Sequence, residues 1–191
     1  VNTDYDYMGN ITELSVVTAN DKHYVLGQKS YDGLGVMQTS TNGSGYSESY
    51  TYYQDTHKGQ PATKTTANGD VIHYTYDDMD RPLTMEVNDI KVTYHYQTSY
   101  PFLLSSTEMQ SDNGNSTTTY QYDLYQNPVS TTVSYNNAQA SNTFTNVYDQ
   151  YGIKQSGSDQ LTLANASFKY DNLGQVIEKD YDDGHVIKYV Y

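Results

Sequence analysis

The sequence predicts an all-β fold of tandem β-hairpins, and three observations support this prediction. The 191 residues include 23 Tyr, 3 Phe and no Trp, among many threonines, and aromatic and β-branched residues are enriched in strands. A Tyr-Asp phrase recurs along the whole chain. Asn-Gly and Asp-Gly pairs, which favour hairpin turns, lie midway between its copies.

The Tyr-Asp phrase defines a repeat of about 23 residues, a length typical of arrays built from one supersecondary unit. We call the tyrosine of each copy its anchor. Two long intervals each contain a degenerate copy, Tyr50-Thr51-Tyr52 and Tyr94-His95-Tyr96. The anchors are Tyr5, Tyr31, Tyr52, Tyr76, Tyr96, Tyr122, Tyr148, Tyr170 and Tyr191. We therefore predict a single array over residues 1–191, with about eight hairpins, as a curved, spiralling sheet or shell segment cut from a longer array.

Each predicted hairpin has a second turn midway between two anchors. The two-residue turn signals are Asn68-Gly69, Asn113-Gly114 and Asp183-Gly184, with Asn20-Asp21, Asn42-Gly43, Asn88-Asp89 and Asn136-Asn137 in the same phase. At the eighth position, Ser156-Gly157-Ser158-Asp159 takes the place of this signal. Between the turns, polarity alternates with the period of a strand. Ile72, Tyr74 and Tyr76 share one predicted face, and His73 and Thr75 share the other.

The turn that follows each anchor has a local physical reason. The Asp carboxylate can accept hydrogen bonds from backbone N–H groups of its own turn. Three residues later, Gly supplies a left-handed backbone conformation. Asp80 and Gln126 replace this Gly in two copies, and we expect the Gln126 turn to be distorted. The predicted turn residues are Asp6, Gly9, Asp32, Gly35, Asp77, Asp123, Asp149, Gly152, Asp171 and Gly174.

Charge and composition exclude several classes of function. Ten basic residues face 23 acidic ones, a net charge of −13, so the basic stripe of a nucleic-acid-binding protein is missing. No apolar run has the roughly 18 residues of a membrane-spanning helix, so we predict no membrane insertion. The absence of Cys excludes disulfides and thiolate metal sites. Together with abundant Tyr, Thr and Asn, it favours a secreted or cell-surface protein.

These motifs resemble the YD-repeat or Rhs (rearrangement hot spot) family. That family has a Gly-led strand ending in Tyr-x-Tyr-Asp, then x-x-Gly-Arg/Asn and a hydrophobic strand. Residues 69–83 match this pattern nearly throughout, with Asp80 in place of Gly, and residues 184–191 match its first half. The resemblance covers essentially the whole chain.

The resemblance implies hairpins that spiral into a hollow β-shell. Some such shells enclose a toxic segment, as in Rhs polymorphic toxins and insecticidal toxin-complex cocoon proteins. Others are wall-associated, and in teneurins they mediate cell adhesion. Two departures matter: the Asp-Pro-x-Gly-Leu self-cleavage motif of cargo-carrying shells is absent, and Arg81 is the only Arg. Self-cleavage is therefore not expected.

Candidate sites were compared with simpler structural explanations. Carboxylate clusters at residues 77–80 and 180–183 have oxygen ligands that suit Ca²⁺, but Asp is also expected at turns. The five His residues are predicted to be exposed. No motif of a hydrolase, metalloprotease or phosphate-binding loop occurs. We therefore predict no enzymatic activity, no cofactor and no metal site. The candidates for ligand contact are tyrosines outside the anchors: Tyr46, Tyr100, Tyr125, Tyr135 and Tyr151.

Three functions remain open. The leading hypothesis is a non-enzymatic shell or scaffold segment that encloses a polypeptide cargo, such as a toxin, or presents a contact surface. The second is a carbohydrate-binding or adhesion module that uses the five candidate ligand-contact tyrosines. The third is a subunit of an extracellular filament or tube, since exposed strand edges invite addition of further strands. The expected partners are neighbouring repeats or further copies of the chain, a polypeptide cargo or a cell-surface glycan, and not nucleic acid.

Overall fold

The computed structural model describes residues 1–135 and 141–191, and over these ranges the chain forms strands and turns but no helix. The all-β prediction is confirmed. No helix of the described chain is long and apolar enough to cross a membrane. The strands are β1 (Asn2–Tyr5), β2 (Ile11–Val17), β3 (His23–Tyr31), β4 (Met37–Asn42), β5 (Ser47–Tyr52), β6 (Pro61–Thr65), β7 (Val71–Tyr76), β8 (Pro82–Val87), β9 (Ile90–Tyr96), β10 (Leu104–Gln110), β11 (Ser116–Tyr122), β12 (Pro128–Tyr135), β13 (Ser141–Tyr148), β14 (Lys154–Asp159), β15 (Ala164–Tyr170), β16 (Val176–Tyr181) and β17 (Val186–Lys188).

The chain divides into two compact units, Val1–Lys91 and Val92–Tyr191. In unit 1, each strand from β1 to β8 pairs antiparallel with the next strand of the chain. In unit 2, β9 pairs with β10, and consecutive antiparallel pairing continues from β10 to β17. Tandem hairpins are thus confirmed as the building block of each unit.

A β-bulge lies beside most anchors, where the strand that follows the anchor turn has one extra residue. Tyr31 is opposite Met37, and Tyr76 is opposite Pro82, with a shift of register immediately before each anchor. The same shift occurs at Tyr5, Tyr52, Tyr122, Tyr148 and Tyr170. Because a bulge bends its strand and redirects side chains, the anchors acquire a common orientation at this end of the hairpins.

Most midway turns differ from the prediction of two-residue connections. Asn88-Asp89 does connect β8 and β9 in two residues, whereas the predicted turn at Ser156-Gly157 is wrong, because these residues lie inside β14. In the Asn68-Gly69 turn, the N–H of Thr66 donates to the carbonyl of Asp70, and the N–H of Gly69 donates to the carbonyl of Thr66. This pattern leaves three residues in the loop, with Gly69 at φ +89°, as in a type I turn closed by a left-handed residue. The turns at residues 18–22, 42–46 and 181–185 have the same bonds. The predicted Asn136-Asn137 turn lies outside the described residues.

Each strand presents two different faces. In β7, Ile72, Tyr74 and Tyr76 are half-buried, whereas Val71, His73 and Thr75 are exposed, which confirms the predicted alternation. We call the face with the anchors the tyrosine face and the other the hydroxyl face. Among the described residues no apolar side chain is fully buried, and Ser15 is the only buried polar residue. Within each unit, the structure is therefore stabilised by contacts between neighbouring strands rather than by a buried hydrophobic core.

Candidate functional site

The turn after each anchor is built around its Asp carboxylate. In the first copy, Asp6 Oδ1 accepts the N–H of Met8 at 2.8 Å and that of Asn10 at 2.9 Å. The carboxylates of Asp32, Asp77, Asp123, Asp149 and Asp171 accept the two equivalent N–H groups of their own turns. Asn42 makes the same two contacts in a midway turn. In each of these Asp turns the carboxylate thus accepts the backbone N–H groups of the residues two and four positions later.

The second carboxylate oxygen often accepts from the side chain four residues later. Asp6 Oδ2 accepts from Asn10 Nδ2 at 2.9 Å, and Asp77 Oδ2 accepts from Arg81 Nε at 2.7 Å. These side-chain bonds, followed by the backbone bonds, hold the pKa of Asp6, Asp77 and Asp123 below its ordinary value. The Gln175 N–H does the same for the pKa of Asp171. These carboxylates therefore serve the turns. Over the described residues, no group of three or more His, Asp or Glu could hold a metal ion.

The residue three positions after each Asp has a positive φ. Gly9, Gly35, Gly152 and Gly174 adopt it, and so do Asp80 at +58° and Gln126 at +69°. The expected distortion of the Gln126 turn is wrong, because the N–H of Gln126 donates to the carbonyl of Asp123 at 3.1 Å, as Gly does elsewhere. The surrounding hydrogen bonds hold the non-glycine residue in the conformation that glycine would take.

Asp80 also joins two neighbouring turns. Its Oδ1 lies 2.6 Å from Nδ1 of His57, which belongs to the longer connection after Tyr52. The rings of Tyr53, His57 and Tyr76 lie 5.8–5.9 Å apart between centroids, and the Tyr53 hydroxyl donates to the carbonyl of Tyr74. His57 is half-buried, whereas the other four His residues are exposed as predicted. Sequence reasoning missed this cluster. Its signal was the extra length between Tyr52 and Pro61.

The anchor hydroxyls connect successive hairpins. Tyr31 donates to the carbonyl of Ile11 at 3.1 Å, and Tyr76 donates to that of Pro61 at 3.0 Å. Tyr52, Tyr170 and Tyr191 bond in the same way to Met37, Lys154 and Val176. Each acceptor is the residue that faces the previous anchor across its bulge. Burial raises the pKa of Tyr52, Tyr76, Tyr122, Tyr148 and Tyr170, so these phenols stay protonated. Seven anchors are half-buried and act as packing residues, whereas Tyr5 and Tyr191 are exposed.

The hydroxyl face carries directly opposed Thr and Ser side chains. Thr75 Oγ1 lies 2.7 Å from Thr84 Oγ1, and Thr51 Oγ1 lies 2.7 Å from Thr63 Oγ1. Ser30 with Thr39, Thr132 with Thr143, and Thr145 with Ser158 form equivalent pairs. Such cross-strand hydroxyl pairs stabilise neighbouring strands.

The five candidate ligand-contact tyrosines lie at turns and strand ends and are all exposed. Tyr125 and Tyr151 occupy the second position after the turn Asp, where the other copies have Met8, Leu34, Met79 and Leu173. These six side chains are 47–83% exposed. Tyr46 follows the Asn42 turn, Tyr100 lies in the β9–β10 connection, and Tyr135 ends β12. Other copies have Met or Leu at this turn position, and these side chains are exposed too. Exposure at this position is therefore not specific to tyrosine.

In unit 2, the two faces differ in charge. Strands β10–β17 contain four acidic residues. Glu108, Glu178 and Asp180 are opposite Thr117, Lys169 and Ser167 on the hydroxyl face. The fourth, Asp159, ends β14 opposite Phe144 on the tyrosine face and accepts the N–H of Leu161. The tyrosine face of the same strands carries Lys154, opposite Tyr148, and Lys179, opposite Phe168. The strands of this face thus carry two lysines and one carboxylate, within a chain of net charge −13.

A family model described as RHS Repeat matches residues 55–89. These residues include His57, Asp80 and the Asp77 turn. No curated protein sequence matches the chain.

Solved structures share the fold. TcdB2-TccC3 without its hypervariable C-terminal region superposes with a TM-score of 0.68 at 14% identity, over 96% of this chain and 11% of that one. TcdB2-TccC3-TEV gives 0.60 at 13% identity, over 99% and 13%. The Tc holotoxin pore of Photorhabdus luminescens gives 0.59 at 15% identity, over 87% and 10%. This chain thus spans about an eighth or less of the length of these structures. The repeat match and the shared fold confirm the resemblance to the YD-repeat (Rhs) family.

Proposed function

We propose that this chain is a structural wall segment of a secreted or cell-surface YD-repeat protein, and that the wall encloses a polypeptide cargo or presents a contact surface. Residues 1–191 would form one stretch of a longer array. The role is non-enzymatic: the described carboxylates and phenols with shifted pKa values are engaged in turns, strand contacts and ion pairs rather than gathered in a cleft.

One observation carries the proposal. The hydroxyl of an anchor bonds to the backbone of the preceding hairpin in five copies, so the same bond propagates from repeat to repeat. An array coupled to its nearest neighbours extends without needing a closed core. Both faces remain accessible, which suits a wall with an inside and an outside. The shared fold with TcdB2-TccC3 supports this interpretation.

Limited proteolysis of the full-length gene product, combined with electron microscopy, tests the proposal. We expect a hollow particle and an internal polypeptide that resists protease until the particle is opened by denaturant. A matched sample of the isolated 191-residue chain controls for the intrinsic resistance of the repeats. A full-length product with no cavity and no protected segment would contradict the proposal that the wall encloses a cargo.

The exposure of all five candidate ligand-contact tyrosines supports a second candidate, carbohydrate binding or adhesion. This candidate predicts that Tyr100→Ala or Tyr135→Ala weakens retention on a polysaccharide column while the thermal unfolding curve is unchanged. Tyr74→Phe serves as the matched control on a strand. Equal retention of all variants would exclude these tyrosines as glycan contacts. Self-assembly through strand edges stays a prediction.

A further inference from the structure

Two lysines and two aromatic rings form one patch on the tyrosine face of unit 2. Lys154 Nζ lies 5.3 Å from the Phe168 ring centroid. Lys179 Nζ lies 5.7 Å from the same ring and 4.6 Å from that of Tyr181. We call Lys154, Phe168, Lys179 and Tyr181 the lysine–aromatic patch. It spans β14, β15 and β16, so paired strands rather than a mobile loop fix its geometry.

Small residues beside the patch leave space for a ligand. Gly157 and Ala166 are directly opposite each other. The Lys154 amine lies over Gly157, 3.0 Å from the position that a Cβ of that residue would take. A larger residue at position 157 would therefore displace the amine. The absence of a side chain at Gly157 therefore lets the Lys154 ammonium group fold onto the tyrosine face.

The patch lysines differ from the other strand lysines in their surroundings. Lys64, Lys91, Lys169 and Lys188 each lie within 4 Å of a glutamate, and Lys29, in β3, is exposed. Across residues 1–135 and 141–191, Lys154 and Lys179 have no carboxylate within that distance, although the chain has 23 acidic residues. Both side chains are half-buried. Partly desolvated cations without an anion attract a carboxylate more strongly than fully solvated ones do.

We propose that the lysine–aromatic patch binds acidic polypeptide segments, with glutamate or aspartate carboxylates on Lys154 and Lys179. The inference rests on the proposed function, since it names the chemistry of the polypeptide that the wall contacts. Charge complementarity carries it: three of the four carboxylates on β10–β17 lie on the hydroxyl face, and the fourth, Asp159 on the tyrosine face, already accepts the N–H of Leu161. An acidic segment is therefore favoured on the tyrosine face over the hydroxyl face.

The same geometry favours a peptide over a sugar. Lys179 lies over both rings and Lys154 lies over Phe168, so ammonium groups occupy the ring faces on which a pyranose would stack. A peptide needs only its carboxylates at the amines and its apolar side chains at the ring edges. An anionic polysaccharide is therefore the competing outcome of the test.

Fluorescence anisotropy with a labelled peptide that alternates Glu and Leu tests the proposal on the 191-residue chain. The comparison peptide has Gln in place of every Glu, and alginate is the competing polysaccharide. The test variant is Lys154→Gln with Lys179→Gln. Lys169→Gln with Lys188→Gln is the matched control, because it removes the same charge from the hydroxyl face. A third variant, Lys154→Arg with Lys179→Arg, keeps the charge.

We expect binding of the Glu peptide, about tenfold weaker in the test variant, unchanged in the control and retained in the arginine variant. Binding should weaken with added NaCl. Equal loss in test and control variants, equal affinity for the Gln peptide, or loss in the arginine variant as well would overturn the proposal. So would an alginate complex in place of a peptide complex. Thermal unfolding of each variant confirms that it is folded.

The outcomes for the two proposals are separable. If the full-length product protects its internal segment equally well with Lys154→Gln and Lys179→Gln, and the peptide does not bind, the patch inference fails and the wall stands. If the peptide binds but no segment is protected, the enclosure fails and the patch remains a binding site.

Discussion

At the scale of single residues, the carboxylate of each turn Asp directs the chain through its first turn. It accepts two backbone N–H groups from residues two and four positions later, and in several copies also the side chain at the fourth position. The third position must then take a positive φ, whichever residue occupies it. Gln126 adopts φ +69° because those bonds are stronger constraints than its own preference.

Replacing Gln126 with Gly tests this strain. A left-handed conformation costs a non-glycine residue free energy, partly offset by the greater flexibility of glycine in the unfolded chain, so we expect a gain of about 0.5–1 kcal/mol in the free energy of unfolding. Urea titration measures it. Gln150→Gly, in the next turn at a residue without positive φ, is the matched control and should not stabilise. A Gln126→Gly variant no more stable than the parent would show that the turn carries no strain.

At the scale of elements, hairpins connect through the anchor hydroxyls and the paired hydroxyls of the opposite face. An anchor reaches the backbone of the preceding hairpin, whereas the Thr and Ser pairs join two adjacent strands directly. The acceptor carbonyl belongs to the residue opposite the preceding anchor, so the bulge at that anchor sets which carbonyl the hydroxyl reaches. Each hairpin is therefore held from both faces without a buried core.

Tyr76→Phe isolates the anchor bond. It removes the hydroxyl that donates to Pro61 at 3.0 Å but keeps the ring against Tyr53 and His57. We expect a loss of about 1 kcal/mol in the free energy of unfolding, because the Pro61 carbonyl loses its donor. Tyr74→Phe is the control, since no hydrogen bond of the Tyr74 hydroxyl occurs among the described residues. Equal effects of the two changes in urea titration would mean that the anchor bond contributes nothing.

At the scale of the whole molecule, stability depends on many repeated polar contacts rather than on buried apolar residues. Carboxylates with lowered pKa values recur at the turns, and phenols with raised pKa values recur on the strands. A property that recurs in several repeats should therefore appear in the pH dependence of the entire fold.

The stability should be greatest between about pH 5 and 9. The pKa of Asp6, Asp77, Asp123 and Asp171 is lowered in the fold, so their contribution is complete above the unfolded value near 3.9 and is lost as the pH falls through the folded values. The pKa of five anchors is raised. Their contribution is complete below the unfolded value near 10 and is lost as the pH rises through the folded values.

Thermal unfolding across this pH range, with tyrosinate absorbance recorded in parallel, measures both limits. The absorbance separates the phenols from Lys64 and Lys169, whose pKa values are raised by hydrogen bonds to Glu48 and Glu178 and which act in the same direction. Tyrosine ionisation completed in the folded protein without loss of stability would contradict the expected role of the anchors.

The repeat itself was predictable because its signals are local. The Tyr-Asp phrase, the alternation in residues 71–76 and the Asp turns all act within a few positions of the chain. The five candidate ligand contacts remain predictions. The length of most midway turns was missed because Asn-Gly pairs suit both two-residue and three-residue connections, and hydrogen bonds to flanking residues select between them.

By itself, then, the sequence determined the all-β class, the hairpin repeat and the residues that form each anchor turn, because each depends on neighbours in the chain. Tertiary structure alone decided which carbonyl each anchor hydroxyl reaches, that His57 meets Asp80, and that Lys154 and Lys179 converge on Phe168. Those contacts join residues on different strands, and their partners follow from strand register. A bulge at each anchor shifts that register, so no fixed spacing in the sequence encodes it.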